Sequence, residues 1–142
     1  MKGNIVTKTL GVTVLAAFVA GCAGLATASP EARVMQTLEA WEAGVIAEDI
    51  DALMLAYSDD FEHYEYGTKS TLEMYFGDLM AQGMFSGAAV SMADMEVEID
   101  GGTATAYPID LEAAFGGATI EFVLQEQASG EWLITSMDVE LY

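Results

Sequence analysis

Near residue 95 the hydrophobic period of this chain changes, and that change restricts its possible folds more than any other feature. Before it, Val34, Leu38, Trp41 and Val45 are spaced four, three and four residues apart, which gathers them on one helical face. After it, Met95, Val97 and Ile99 alternate with Glu96, Glu98 and Asp100, the period of a strand with one wet side and one dry side. Helices that precede a run of strands imply an α+β arrangement, with the helices packed on one face of an antiparallel sheet. At 142 residues there is room for one such domain and a short appendage.

Local signals divide the chain further. Ser29-Pro30-Glu31 reads as an N-cap, a proline at the first helical position and an acid in the first turn. Asp49 can cap a second helix that carries Ile50, Leu53, Met54 and Tyr57. Alternation over residues 61–66 predicts a short strand with Phe61, His63 and Glu65 on one face. Ser70-Thr71-Leu72-Glu73 has the form of a capping box; the helix it opens carries Leu72, Phe76, Leu79 and Met80 and stops at Gly83. Gly101-Gly102, Gly116-Gly117 and Ser129-Gly130 then separate four strands, an antiparallel meander. Pro108 lies inside the second of these, where it predicts a bend or bulge.

The first residues read as an address. Lys2 and Lys8 precede a short apolar run, and Ala20-Gly21 stand before Cys22, the form of a secretory signal peptide. Val19-Ala20-Gly21-Cys22 resembles the bacterial lipoprotein box, and Cys22 is the only cysteine in the chain. That resemblance implies a signal peptide over 1–21, a lipidated Cys22 with a short tether over 22–30, and a domain over 31–142. The domain would then sit on the periplasmic side of the cell envelope, with Ala23 favouring the outer membrane in a Gram-negative cell. Multiple acylation would hold it there, since two chains give stable membrane binding and one does not. The alternative is an uncleaved anchor, because residues 9–28 are about twenty uncharged, mostly apolar positions, roughly a bilayer's span.

Charge excludes several functions. Against 23 acidic residues the chain has four basic ones, too few to neutralise a nucleic-acid backbone. Removal of residues 1–21 would leave only Arg33 and Lys69. A coat of this kind suits solvation in salty water, or alternatively a basic partner. One histidine and one cysteine leave no metal or redox motif, and no cofactor is expected.

Ala56-Tyr57-Ser58-Asp59-Asp60-Phe61, where the second helix meets the first strand, and Ser129-Gly130-Glu131-Trp132-Leu133-Ile134, a turn-plus-Trp entry to the last strand, resemble the nuclear-transport-factor-2-like superfamily. This group includes the polyketide-cyclase-like (SnoaL-like) and ketosteroid-isomerase-like domains. The resemblance spans about residues 31–142 and implies a cone: a curved antiparallel sheet wrapped around the N-terminal helices, enclosing an apolar pocket. Trp41, Tyr57, Phe61 and Tyr107 are the candidate ligand-binding residues. Glu65 falls where the isomerase-like enzymes keep a carboxylate base, and His63, two residues earlier, would share its face for acid–base work. The phenol that such an isomerase takes from its first helix is matched here by Trp41.

The leading expectation is therefore a membrane-held, non-catalytic module that binds a small apolar ligand or a protein partner. The alternative is a small isomerase, dehydratase or cyclase-like enzyme using Glu65 and His63. A third is a structural, homodimeric protein whose cone is filled by side chains such as Phe115 and Met137. An enzyme needs Glu65 or His63 projecting into the pocket, whereas a binder needs a pocket without converging ionisable groups.

Overall fold

A computed structural model describes residues 28–142; the export segment, Cys22 and most of the tether lie outside the described residues. Helix α1 (Pro30–Ile46) begins at the expected cap, with Ser29 in extended backbone and its Oγ accepting from the Ala32 amide at 3.2 Å. Val34, Leu38, Trp41 and Val45 are all buried. The chain leaves α1 through a tight reversal: the Glu48 amide donates to the Val45 carbonyl at 3.1 Å and the Asp49 amide to the Gly44 carbonyl at 3.0 Å. These two bonds satisfy carbonyls that the helix end would otherwise leave orphaned. Asp49 then caps α2 (Ile50–Met54), its Oδ1 accepting from the Ala52 amide at 3.1 Å.

Helix α2 is shorter than the spacing of its apolar residues suggests. Tyr57 lies beyond it, in a parallel bridge with Ile134. The Ser58 amide donates to the Ile134 carbonyl at 2.8 Å, and the Ile134 amide to the Ala56 carbonyl at 2.9 Å. Backbone hydrogen bonding to the last strand, rather than a helical turn, fixes this tyrosine.

The strand expected over residues 61–66 is cut to β1 (Glu62–His63), which pairs with β2 (Gly67–Thr68) as a small hairpin. Helix α3 (Lys69–Ala81) follows at once, with Thr68 as its N-cap residue and no side-chain capping bond. The predicted box at Ser70-Thr71-Leu72-Glu73 therefore lies within the first helical turns. Thr71 Oγ1 meets Thr68 Oγ1 at 3.3 Å instead. The C-terminus is as expected: Gly83 has φ 75, its amide bonds Met80 O at 2.9 Å, and the Met84 amide bonds Leu79 O at 3.0 Å.

Five antiparallel strands make the main sheet: β3 (Ala89–Ser91), β4 (Glu96–Asp100), β5 (Thr103–Ala113), β6 (Gly116–Glu126) and β7 (Trp132–Leu141). Strands β4 to β7 form the predicted meander; β3 is an addition. Along one edge of β5, β4 covers Thr103 to Tyr107 and β3 covers Asp110 to Glu112. Pro108, joined to Tyr107 by a cis peptide bond, falls in the gap between them, where a missing amide proton costs no ladder bond. On the other edge the β5–β6 register shifts between Ala106 and Ile109. A second shift, between Val123 and Leu124 of β6, leaves Thr135 of β7 without a partner. Each bulge moves the inward set by one residue and bends the sheet. Ala104 and Ala106 give way to Ile109 and Leu111, and Trp132 and Ile134 to Met137, all of them buried.

The concave face so formed packs on Leu38, Leu53 and Phe61, and burying such side chains is what holds the layers together. The opposite face is polar, as the alternation requires; there Thr119 Oγ1 donates to Asp110 Oδ1 at 2.7 Å. Among the described residues no helix is long and apolar enough to cross a membrane.

Candidate ligand-binding cavity

The helices do not fill the concavity. A cavity of about 290 Å³ remains, walled by Trp41 and Val45 from α1, Tyr57, Phe76 and Leu79 from α3, and Leu111, Ile120, Phe122 and Met137 from the sheet. Phe115 and Met137, candidates for plugging the cone, stand in its wall and leave the space open. Tyr75 and Leu141 also line it yet are 43% and 68% exposed, so the cavity reaches the surface beside them. A volume of this size lies at the lower end of the range for small-molecule sites.

Two aromatic side chains give the wall its buried polarity. The Trp41 indole Nε1–H donates to Tyr57 Oη at 3.1 Å, with the ring of Phe122 edge-on to Trp41 at 5.1 Å and to Tyr57 at 6.4 Å. Burial pushes the Tyr57 phenol well above its ordinary value, and the indole bond offsets part of that rise. Tyr66, also in the wall, is raised by burial first and then by the neighbouring Tyr75, Glu65 and Tyr64. Among the described residues that form the wall there is no carboxylate, imidazole, ammonium or guanidinium group.

The acid–base pair read from the sequence is not brought to this space. Period-2 geometry ends at His63, because the chain turns through Tyr64 to Tyr66 to form the hairpin. His63 Nδ1 accepts from the Glu65 amide at 3.0 Å and from the Tyr66 amide at 3.2 Å, and its ring stacks between Tyr64 at 4.4 Å and Tyr66 at 4.6 Å. Histidine thus acts as the brace of a turn, and Glu65 faces solvent. Neither residue lines the cavity. Among the described residues no group of three His, Cys, Asp or Glu side chains is placed to hold a metal ion.

Of the four aromatic candidates, Trp41 and Tyr57 line the cavity. Phe61 is buried edge-on against Tyr57, at 5.3 Å, outside the wall. Tyr107 is 47% exposed, because it follows the inward-facing Ala106 just before the bulge. Sequence reasoning did not reach Ile120 and Phe122. Both sit on the apolar face of β6 in the same alternation as Leu124, a core residue, so period alone cannot separate wall from core.

No protein-family model matches the sequence, and neither does any curated protein. Solved structures do match it. A nuclear-transport-factor-2-like protein from Pseudomonas putida aligns at 20% identity with a TM-score of 0.63, over 78% of this chain and 84% of that one. A ketosteroid-isomerase-like protein from Erwinia carotovora atroseptica aligns at 18% identity with a TM-score of 0.61, over 76% and 92% respectively. A protein of cystatin-like fold from Nostoc punctiforme gives 13% identity and a TM-score of 0.65, over 79% and 90%. Identities this low speak for architecture and not for activity. With its helices laid in the hollow of a bulged antiparallel sheet, the chain has the nuclear-transport-factor-2-like fold.

Proposed function

We propose that this protein binds a small, uncharged, apolar ligand in the cavity without transforming it. The observation that carries this reading is the wall itself, aromatic and aliphatic, whose described residues include no carboxylate or imidazole and whose polar groups are phenols and an indole. A general base must lie within hydrogen-bond reach of the proton it takes; His63 and Glu65 are engaged or exposed elsewhere, and burial keeps the Tyr57 phenol protonated. The test uses the neutral fluorophore N-phenyl-1-naphthylamine. Its emission is expected to rise on binding, and Ala118→Leu, which places bulk in the wall, is expected to weaken binding at least tenfold while the fold persists by circular dichroism. Unchanged affinity in that variant, or no binding to the unsubstituted protein, refutes the reading.

We further propose that the ligand is held at the cell envelope by lipidation of Cys22, which the sequence pattern of residues 1–22 supports. Full-length chain made in a bacterial host is expected to sediment with membranes and to incorporate labelled palmitate. Cys22→Ala should lose the label; a variant still labelled would refute the assignment.

A further inference from the structure

His63, the one histidine of the chain, supports part of the cavity wall through its neighbours. Its Nδ1 accepts from two backbone amides, those of Glu65 at 3.0 Å and Tyr66 at 3.2 Å. A ring nitrogen accepts only through its lone pair, so this bonding assigns the proton of the neutral ring to Nε2. Among the described residues nothing accepts from Nε2, although that atom is buried. The imidazole is also the second ring of a stack that runs Tyr64, His63, Tyr66, Tyr75. Successive centroids are 4.4, 4.6 and 5.2 Å apart, and neighbouring planes lie 30°, 23° and 30° from one another. The last two rings, Tyr66 and Tyr75, line the cavity. The turn that His63 braces is thus continuous with the wall.

Resting on the binding reading above, we propose that His63 is a pH switch for this site: a ligand is held while the ring is neutral and released when the ring gains its second proton. Histidine is the side chain whose charge changes between pH 5 and 8. The incoming proton must go to Nδ1, where the new N–H faces two amide N–H groups and both bonds of the turn are lost. The tyrosine faces tolerate a cation, but stacking supplies no acceptor for the two amides, and unmade amide bonds are costly. The turn therefore opens, and Tyr66, held by its amide and by the stack, leaves the wall. Charged neighbours set the pH at which this happens and not its direction. In the hairpin these are Glu62 and Glu65, with the phenols of Tyr64 and Tyr66; β2 has no titratable residue. Helix α3 adds the Tyr75 phenol and Lys69, whose ammonium is paired with Asp59 at 3.2 Å. Strand β7, packed against β1, adds the exposed Asp138 and Glu140.

The test measures the affinity for N-phenyl-1-naphthylamine at pH 7.5 and 5.5, in the unsubstituted protein and in His63→Asn. Asparagine offers a carbonyl oxygen to the amides that follow it, as in an Asx turn, and does not titrate. The unsubstituted protein is expected to bind about tenfold more weakly at pH 5.5, in keeping with the loss of two neutral hydrogen bonds from the turn, while His63→Asn stays within about twofold. An affinity equal or higher at pH 5.5 in the unsubstituted protein, or the same loss in His63→Asn, overturns the switch and leaves the cavity reading intact. No binding at either pH refutes both. Should His63→Asn not fold, amide hydrogen exchange in the unsubstituted protein decides. The Glu65 and Tyr66 amides are expected to lose protection in step with the titration of the imidazole, followed by its own nuclear magnetic resonance signals; protection that survives that titration overturns the proposal.

Discussion

Tyr57 joins the last strand to the wall of the cavity. Its backbone is bridged to Ile134, its ring meets Phe61 and Phe122 edge-on, and its oxygen holds the indole of Trp41. Because burial raises its phenol above the ordinary 10, folding is linked to pH in a definite direction. Below 10 the phenol is protonated whether the chain is folded or not, and the stability it contributes is present in full. Above 10 the unfolded chain releases the proton while the folded one retains it, so stability falls as pH rises. Urea unfolding at pH 10 and 11 should show a loss of about 1 kcal/mol attributable to this group. Tyr57→Phe should remove that part of the slope; parallel slopes in the two proteins would contradict it. The sequence made Trp41 and Tyr57 visible as site candidates, being large aromatics on apolar helical faces. It hid their hydrogen bond, which depends on where α2 stops. It also misplaced Glu65, because nothing in the alternation of residues 61–66 announces that the backbone turns after His63.

Elements whose boundaries are set by local chemistry were the readable ones. Ser29 and Asp49 cap their helices with bonds spanning three residues, and Gly101-Gly102 turns the chain from β4 to β5 as expected, whereas Gly116-Gly117, expected as a turn, open β6 and the reversal falls at Ala114-Phe115. Strand β3 was not readable, since three residues owe their conformation to β5 and carry no period of their own. The start of α3 shifted because the β1–β2 ladder ends at Thr68 and leaves that residue extended, displacing the capping box by two positions. The packing of α1 on α2 was likewise hidden, and it turns on Gly44, where a Cβ would stand 2.8 Å from the Leu53 backbone. Alanine is the better helix former by about 1 kcal/mol, yet Gly44→Ala is expected to destabilise by about 2 kcal/mol, because two backbones must separate. Gly77 of α3 supplies the contrast: a Cβ there meets nothing within 4 Å, and Gly77→Ala should stabilise. Chemical denaturation of the pair measures both signs, and like signs would show that the helix contact at Gly44 yields readily.

At the scale of the whole molecule, charge and orientation dominate. Two surface ion pairs, Arg33–Glu126 at 3.4 Å and Lys69–Asp59 at 3.2 Å, do little against an excess of carboxylates; exposed pairs of this kind contribute up to about 1 kcal/mol each. Repulsion among the remaining acids is screened as salt is added. The melting temperature is therefore expected to rise by several degrees between low and molar sodium chloride, and a flat or falling trend in calorimetry would contradict this. Orientation follows from the seating of α1. Near its start, Arg33 Nη1 donates to the Gly130 carbonyl at 2.9 Å, and Thr37 Oγ1 donates to the Trp132 carbonyl, which fixes this end of the helix beside the beginning of β7. The entrance marked by Leu141 lies nine residues further along that strand, about 30 Å at 3.3 Å per residue. A domain held by its N-terminus, as proposed above, would thus present its doorway away from the point of attachment.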